Sequence, residues 1–144
     1  GLHRTQGVDW VLFQSKGLEL MRRRLGAATG AEAASMLLET NDWNHLLILE
    51  GQDGVTIHSR NTETVHVQCM LEEIRQMIGL IDAAAVAVAT AITLGLSVEE
   101  TAHIANAASE CILVADRTDR FVLRLDDMID RIGEIAWSLQ VSKR

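Results

Sequence analysis

Between Asp82 and Glu99 the chain carries no charged residue ("AAAVAVATAITLGLSV"). Small and apolar side chains of this kind favour a helix, and a helix apolar on nearly every side has to be covered on more than one of them. A fold built in layers satisfies that demand, whereas a single amphipathic surface helix does not. The apolar part, 83–96, is interrupted by threonines and Gly95 and falls short of the ~20 residues that a membrane span needs. Asp82 stands directly at the mouth of this helix. A carboxylate there reads either as an N-terminal cap or as a proton acceptor held at the positive end of a helix.

The rest of the chain supplies the other layers. "VDWVLFQ" (8–14) is a short apolar run that reads as a buried strand, and "SKGLELMRRRLG" then places Leu18, Met21 and Leu25 at helical spacing with Gly26 as a stop. "GAEAASMLLETND" predicts a second helix and "NHLLILEG" a continuous buried strand. "GVTIHSR" and "ETVHVQ" alternate apolar with polar residues, so they read as half-exposed strands joined by a turn around Asn61. "MLEEIRQMI" has Met70, Leu71, Ile74, Met77 and Ile78 at helical spacing and predicts a helix before Asp82. Ser97 with Glu100 three residues on forms a capping box that starts the helix "SVEETAHIANAASECILVA". "RFVLR" predicts one more strand, and "LDDMIDRIGEIAWSLQ" a closing amphipathic helix. Strands alternating with helices imply an α/β layered domain, with helices packed on a mostly parallel sheet.

A chain of 144 residues, 48% of them apolar, fits one domain over 1–144 with a real core. The formal charge of -7 argues against nucleic acid or an anionic membrane as partner, because both select a basic surface. Cys69 and Cys111 lie far apart in no metal-like spacing and read as small buried thiols of a reducing compartment. No segment reads as a signal peptide, and a soluble cytoplasmic domain is the expectation. The chain has neither proline nor tyrosine, so its turns must be built by glycine and Asn/Asp.

Few residues carry chemistry. The histidines (His3, His45, His58, His66, His103) show no ligand spacing, so no metal site is expected from them. "RRR" at 22–24 and "LDDMID" read as solvated faces, and neither a nucleophile elbow nor a P-loop is present. Two features remain. "LEGQDG" ends a strand in a turn flanked by Gly51 and Gly54, and about thirty residues later Gly79 precedes Asp82 and its helix. A glycine turn into a helix start presents unpaired backbone N–H groups to an anion, and an aspartate there is placed to accept a substrate hydroxyl proton.

In order and spacing these residues resemble the C-terminal, nucleotide-binding half of the ribokinase-like (PfkB-type) carbohydrate kinases, closest to the kinase domain of the heptose-phosphate kinase/ADP-heptose synthases. The likeness rests on Gly51-Gln-Asp-Gly54 for the family's Gly-x-x-Gly turn, on Gly79 and Asp82 for its Gly-Ala-Gly-Asp motif, and on "LGLSVEETAHIANAASE" for the helix that follows. It implies a Rossmann-like layered fold and an ATP-dependent transfer of phosphate to a sugar hydroxyl, with Mg²⁺. Asp82 falls on the family's catalytic base, Gly79 on the anion hole, Gly51 and Gly54 on the turn beside the ATP phosphates, and Asn106 on the helix bordering the adenine.

The departures cluster on the same motifs. Ile81 stands where the family has the third position's glycine, which lets the backbone approach the transferred group; a β-branched residue crowds it. Gln76 replaces an aspartate, Gly17 the glutamate of an Asn-x-x-Glu motif that starts near Gln14, Glu110 a glycine, and 115–118 a Lys-x-Gly-Thr. These departures imply a degenerate kinase-like domain, a pseudokinase that binds a partner or a nucleotide. An active kinase using ATP, Mg²⁺ and Asp82 is the alternative, and an unrelated α/β module a third. The N-terminal half of such kinases has no counterpart here, so a homodimer, or a partner chain completing the sheet, is expected to cover the exposed strand edge.

Overall fold

A computed structural model of the chain describes residues 9–74 and 77–114. β1 (Trp10–Gln14) leads straight into α1 (Ser15–Leu25), which stops at Gly26 in the left-handed conformation that glycine adopts at no steric cost. α2 (Gly30–Asn41) follows, its first turn held by Thr29, whose hydroxyl accepts from the Glu32 N–H. β2 (His45–Leu49) then lies parallel to β1 in the register Trp10↔His45 to Gln14↔Leu49.

A single 3₁₀ turn, Gly51–Asp53, reverses the chain into β3 (Val55–Ser59), and a second reversal through Asn61 (φ 59°) brings β4 (Val65–Val67) alongside. Both new pairings are antiparallel, Leu49↔Val55 and Ile57↔Val65 among them. Among the described residues the four-stranded order is β1-β2-β3-β4, so the layered α/β expectation is met, with a mixed sheet in which one of the three described pairings is parallel. The cause is loop length. A parallel pair needs a crossover such as α1 and α2 provide, and the turns at 51–54 and 60–64 are too short to return the chain to its starting end.

Alternation along the strands divides the core. Val11, Phe13, Leu46 and Ile48 face α1 and α2 through Leu18, Ala33, Ala34, Leu37 and Leu38. Trp10, Leu12, Leu47, Leu49, Val55 and Ile57 face the other side, against α3 (Leu80–Leu94) and α4 (Val98–Val114). β2 is buried on both faces, which explains its unbroken apolar sequence. α3 and α4 meet through alanines, 83, 84 and 87 against 102, 105 and 108, and small side chains let helix axes approach closely. The capping box at α4 is formed as the spacing predicts: Glu100 N–H donates to Ser97 Oγ at 3.1 Å and Ser97 N–H to Glu100 Oε1 at 2.9 Å.

Among the described residues of 70–78, where a helix is expected, none is helical. Residues 68–74 run as an irregular connection, with Leu71 and Ile74 on the core while Met70 is 81% exposed. Their backbone groups find side chains instead of a helical ladder: Gln52 Nε2 donates to Glu72 O and Met70 N–H donates to Glu110 Oε2. The strand expected at "RFVLR" and the closing helix lie outside the described residues.

Candidate functional site

β1 and β2 are parallel, so their C-terminal ends emerge at one edge of the sheet, the place where open α/β sheets hold ligands. From β1 the chain enters α1 at Gln14, whose side chain makes no cap hydrogen bond. From β2 it enters the glycine turn. α3 starts nearby at Gly79, again with no side-chain cap. Gln14, Ser15, Lys16, Met77 and Ile78 line a cleft of 330 Å³ between these starts. Backbone N–H groups at a helix start have no intrahelical partner and carry the positive end of the dipole, and the Lys16 ammonium adds a full charge. The arrangement suits an anion with an apolar neighbour.

Each residue singled out in the sequence has a definite place. Gly79 is the N-cap of α3 at φ 91°, a conformation that glycine takes without strain. Asp82 is exposed in the first turn of α3, three residues after the cap. It is therefore not the capping residue; its carboxylate is left facing solvent at the positive end of the helix. Gly51 (φ 60°) and Gly54 (φ 97°) bound the turn. A Cβ on Gly51 would touch Met77 Cε at 3.4 Å, which links the turn to the cleft. A Cβ on Gly54 would stand 2.0 Å from Val67 O and 2.8 Å from Cys69 N, so the turn and the end of β4 approach backbone to backbone.

Asn106, on α4, is 7% exposed and does not face the cleft residues; its Nδ2 donates to Gln68 O at 3.3 Å. Its Oδ1, and Ser109 Oγ one turn on, are buried and have no hydrogen-bond partner among the described residues. Glu110 accepts from Met70 N–H at 2.9 Å. Burial pushes the neighbouring Cys69 thiol above its ordinary range, and the Glu110 carboxylate adds to the shift.

His45 and His66 do structural work. His45 Nδ1 is 2.7 Å from Ser59 Oγ and its ring stacks on Trp10, while His66 Nδ1 is 2.8 Å from Thr56 Oγ1. Among the described residues no three His, Cys, Asp or Glu side chains are grouped to hold a metal. A second concavity of 440 Å³ opens at the far end of the sheet beside Arg60, but that guanidinium is engaged by Asp42 at 2.8 Å and by Leu38 O at 2.7 Å. Lys16 and Ser15 are the site residues that the sequence reading passed over. Their signal was positional: they follow directly on the last residue of β1.

No protein-family model matches the chain. It is 30% identical over 78 residues, 54% of its length, to the bifunctional protein HldE of Trichlorobacter lovleyi, and spans 16% of that relative. Ribokinase from Thermotoga maritima superposes with a TM-score of 0.66 at 19% identity, covering 88% of this chain and 43% of the ribokinase. Phosphofructokinase-2 from Escherichia coli, in complex with substrates and products, gives 0.65 at 17% identity, over 89% of this chain and 41% of the kinase. The Arabidopsis thaliana ribokinase complexed with ribose and ATP gives 0.63 at 16% identity, over 89% and 42%. The chain thus has the ribokinase-like fold of the PfkB-type carbohydrate kinases, and it spans less than half the length of these solved structures. No helix among the described residues is long and apolar enough to cross a membrane.

Proposed function

We propose that the chain is a degenerate PfkB-type carbohydrate kinase domain, impaired in phosphoryl transfer, that acts as a binding or assembly module. The observation that carries this reading is the lining of the cleft, which among the described residues holds the ammonium of Lys16 beside Gln14, Ser15 and the apolar Met77 and Ile78, and no carboxylate. The phosphates of ATP fit such a lining, with Lys16 and the N–H groups at the starts of α1 and α3 to receive them. Mg²⁺ does not fit, because it is held through carboxylates and the described cleft offers none. Ile81 in the first turn of α3 is a further obstacle to close approach of a transferring group.

Assembly follows from β1. Among the described residues it bonds to β2 alone, and all five of its residues are half-buried. An apolar strand with one open edge is a template for pairing, and a second copy, or a partner chain completing the sheet, is the occupant proposed. Phosphofructokinase-2 from Escherichia coli has a tetrameric inhibited form, which supports self-association as a habit of this fold.

The exposure of Asp82 favours a second reading. If the domain is an active ATP-dependent sugar kinase, acting on a heptose-phosphate-like acceptor, Asp82 takes the proton of the sugar hydroxyl as that oxygen attacks the γ-phosphorus. A coupled assay for ADP release over a panel of sugars and sugar phosphates, run on the wild-type chain and Asp82→Asn, separates the two. No turnover above the blank, with a dimer or larger by light scattering, is the expected result. Sugar-dependent ADP release abolished by Asp82→Asn would instead establish the kinase.

A further inference from the structure

The cleft at Lys16 continues beyond its own rim. Ile78, on its lining, is 73% exposed, and Met77 beside it is exposed as well. Lys16 stands on the outer face of α1. Four residues along that face comes Leu20, 58% exposed, and after four more the exposed Arg24. Arg22 and Arg23 are engaged by Glu19 at 2.7 and 3.3 Å, which leaves Lys16 and Arg24 as the charges of this ridge. Exposed apolar side chains set among cations make a surface that an apolar, acidic segment complements.

The chain carries such a segment. The stretch 125–140, outside the described residues, spaces Leu125, Met128, Ile129, Ile132, Ile135 and Leu139 as one face of a helix. At about 100° per residue, Asp126 and Asp130 fall together on one flank of that stripe. The described chain also stops in the right place. α3 leaves the cleft at Gly79, and α4 returns along it after the short turn at 95–97. Glu110, one turn before Val114, accepts from Met70 N–H, and the backbone at Cys69 lies against Gly54, in the turn that touches Met77. α4 therefore ends at the end of the sheet where the cleft opens. Ten residues separate Val114 from Leu125, a reach of up to about 33 Å.

We propose that 125–140 docks as a helix on the cleft and the α1 ridge of its own chain, with its apolar stripe on Met77, Ile78 and Leu20 and its Asp126 and Asp130 at the Lys16 ammonium. This rests on the reading of the cleft as an anion site and names its resident anion. The carboxylates of the chain's own C-terminal segment hold the site, and an incoming phosphate has to displace them.

Amide hydrogen exchange of the full chain tests the docking, and calorimetric titration with inorganic tripolyphosphate tests the anion site beneath it. The amides of 125–140 are expected to be protected in wild type and to exchange about tenfold faster in Ile78→Glu and in Lys16→Glu. Both changes fall on exposed side chains, so the core is left intact. Lys16→Glu combined with Asp126→Lys and Asp130→Lys is expected to restore the protection, which a merely structural role of Lys16 would not do. Asp126→Asn with Asp130→Asn is expected to bind tripolyphosphate about threefold more tightly than wild type. Exchange in 125–140 that neither Ile78→Glu nor Lys16→Glu alters overturns the docking. Protection that disappears on dilution also overturns it, and assigns the occupant to a second copy. Equal tripolyphosphate affinity in the asparagine variant and wild type overturns the competition. Docking seen by exchange, with no tripolyphosphate heat in either protein, overturns the anion reading and leaves the docking in place.

Discussion

Replacing Gly54 by alanine isolates what the glycine turn costs to build. At φ 97° and ψ -140° the residue occupies a region that L side chains avoid, which costs on the order of 1–3 kcal/mol. The new methyl would also stand 2.0 Å from Val67 O and 3.0 Å from Gln68 Cα, and because these are backbone atoms they cannot swing aside as a side chain could. Forcing β3 and β4 apart adds an overpacking penalty of about 1–3 kcal/mol. The expected loss is therefore about 4 kcal/mol, a large share of the roughly 5–15 kcal/mol that stabilises a domain. Gly95→Ala is the matched control. Gly95 also has a positive φ, 68°, but no described residue lies within 4 Å of its missing Cβ, so only the left-handed penalty of about 1–2 kcal/mol applies. Urea unfolding of both variants, followed by tryptophan fluorescence, reads the difference directly. A Gly54→Ala loss no larger than that of Gly95→Ala would refute the close approach of the turn to β4.

Burial holds the imidazoles of His45 and His58 below the ordinary histidine value, with nearby Asp9 and Glu50 opposing the shift only in part. The unfolded chain then takes up protons at a higher pH than the folded one, so stability is full above about pH 6.5 and falls as the pH drops below it. Thermal melts between pH 7.5 and 5.5 should show that decline, and His58→Gln should flatten it. Lys16→Ala is expected to weaken the binding of ATP or inorganic tripolyphosphate about fivefold, the equivalent of about 1 kcal/mol for one partly solvated charge. Calorimetry at low and high salt checks this, and an equal affinity in both proteins would remove Lys16 from the anion site.

What the sequence disclosed and what it hid follow from how local each interaction is. The capping box at Ser97, the stops at Gly26 and Gly95, and the doubly buried β2 depend on a few neighbouring residues, and each was readable from its pattern. The apolar spacing of 70–78 was equally clear but misleading. Leu71 and Ile74 do reach the core, while the backbone they hang from is satisfied by Gln52 and Glu110, distant in sequence. Nothing in a local window reveals such partners. Of the two readings open to Asp82, the cap falls away because Gly79, which lacks a side chain to announce itself, takes that position. The cleft at Lys16 was missed for a related reason: it exists only once β1 has been set beside β2.

That last pairing also bears on the order in which the chain acquires its structure. β2, β3 and β4 form a contiguous meander between His45 and Val67, whereas β1 joins it across the whole α1–α2 crossover. Closing the longer loop costs more chain entropy before any contact repays it. The meander is thus the natural nucleus, and β1, the strand that brings Lys16 with it, docks late. In a rate analysis, Ile57→Val should slow folding, while Phe13→Leu should chiefly hasten unfolding; the reverse pattern would make β1 part of the nucleus. Late arrival leaves the β1 seat on β2 briefly vacant in every molecule, so at high concentration a neighbour's β1 can take it, and exchange of this strand between chains is the misassembly to look for on refolding.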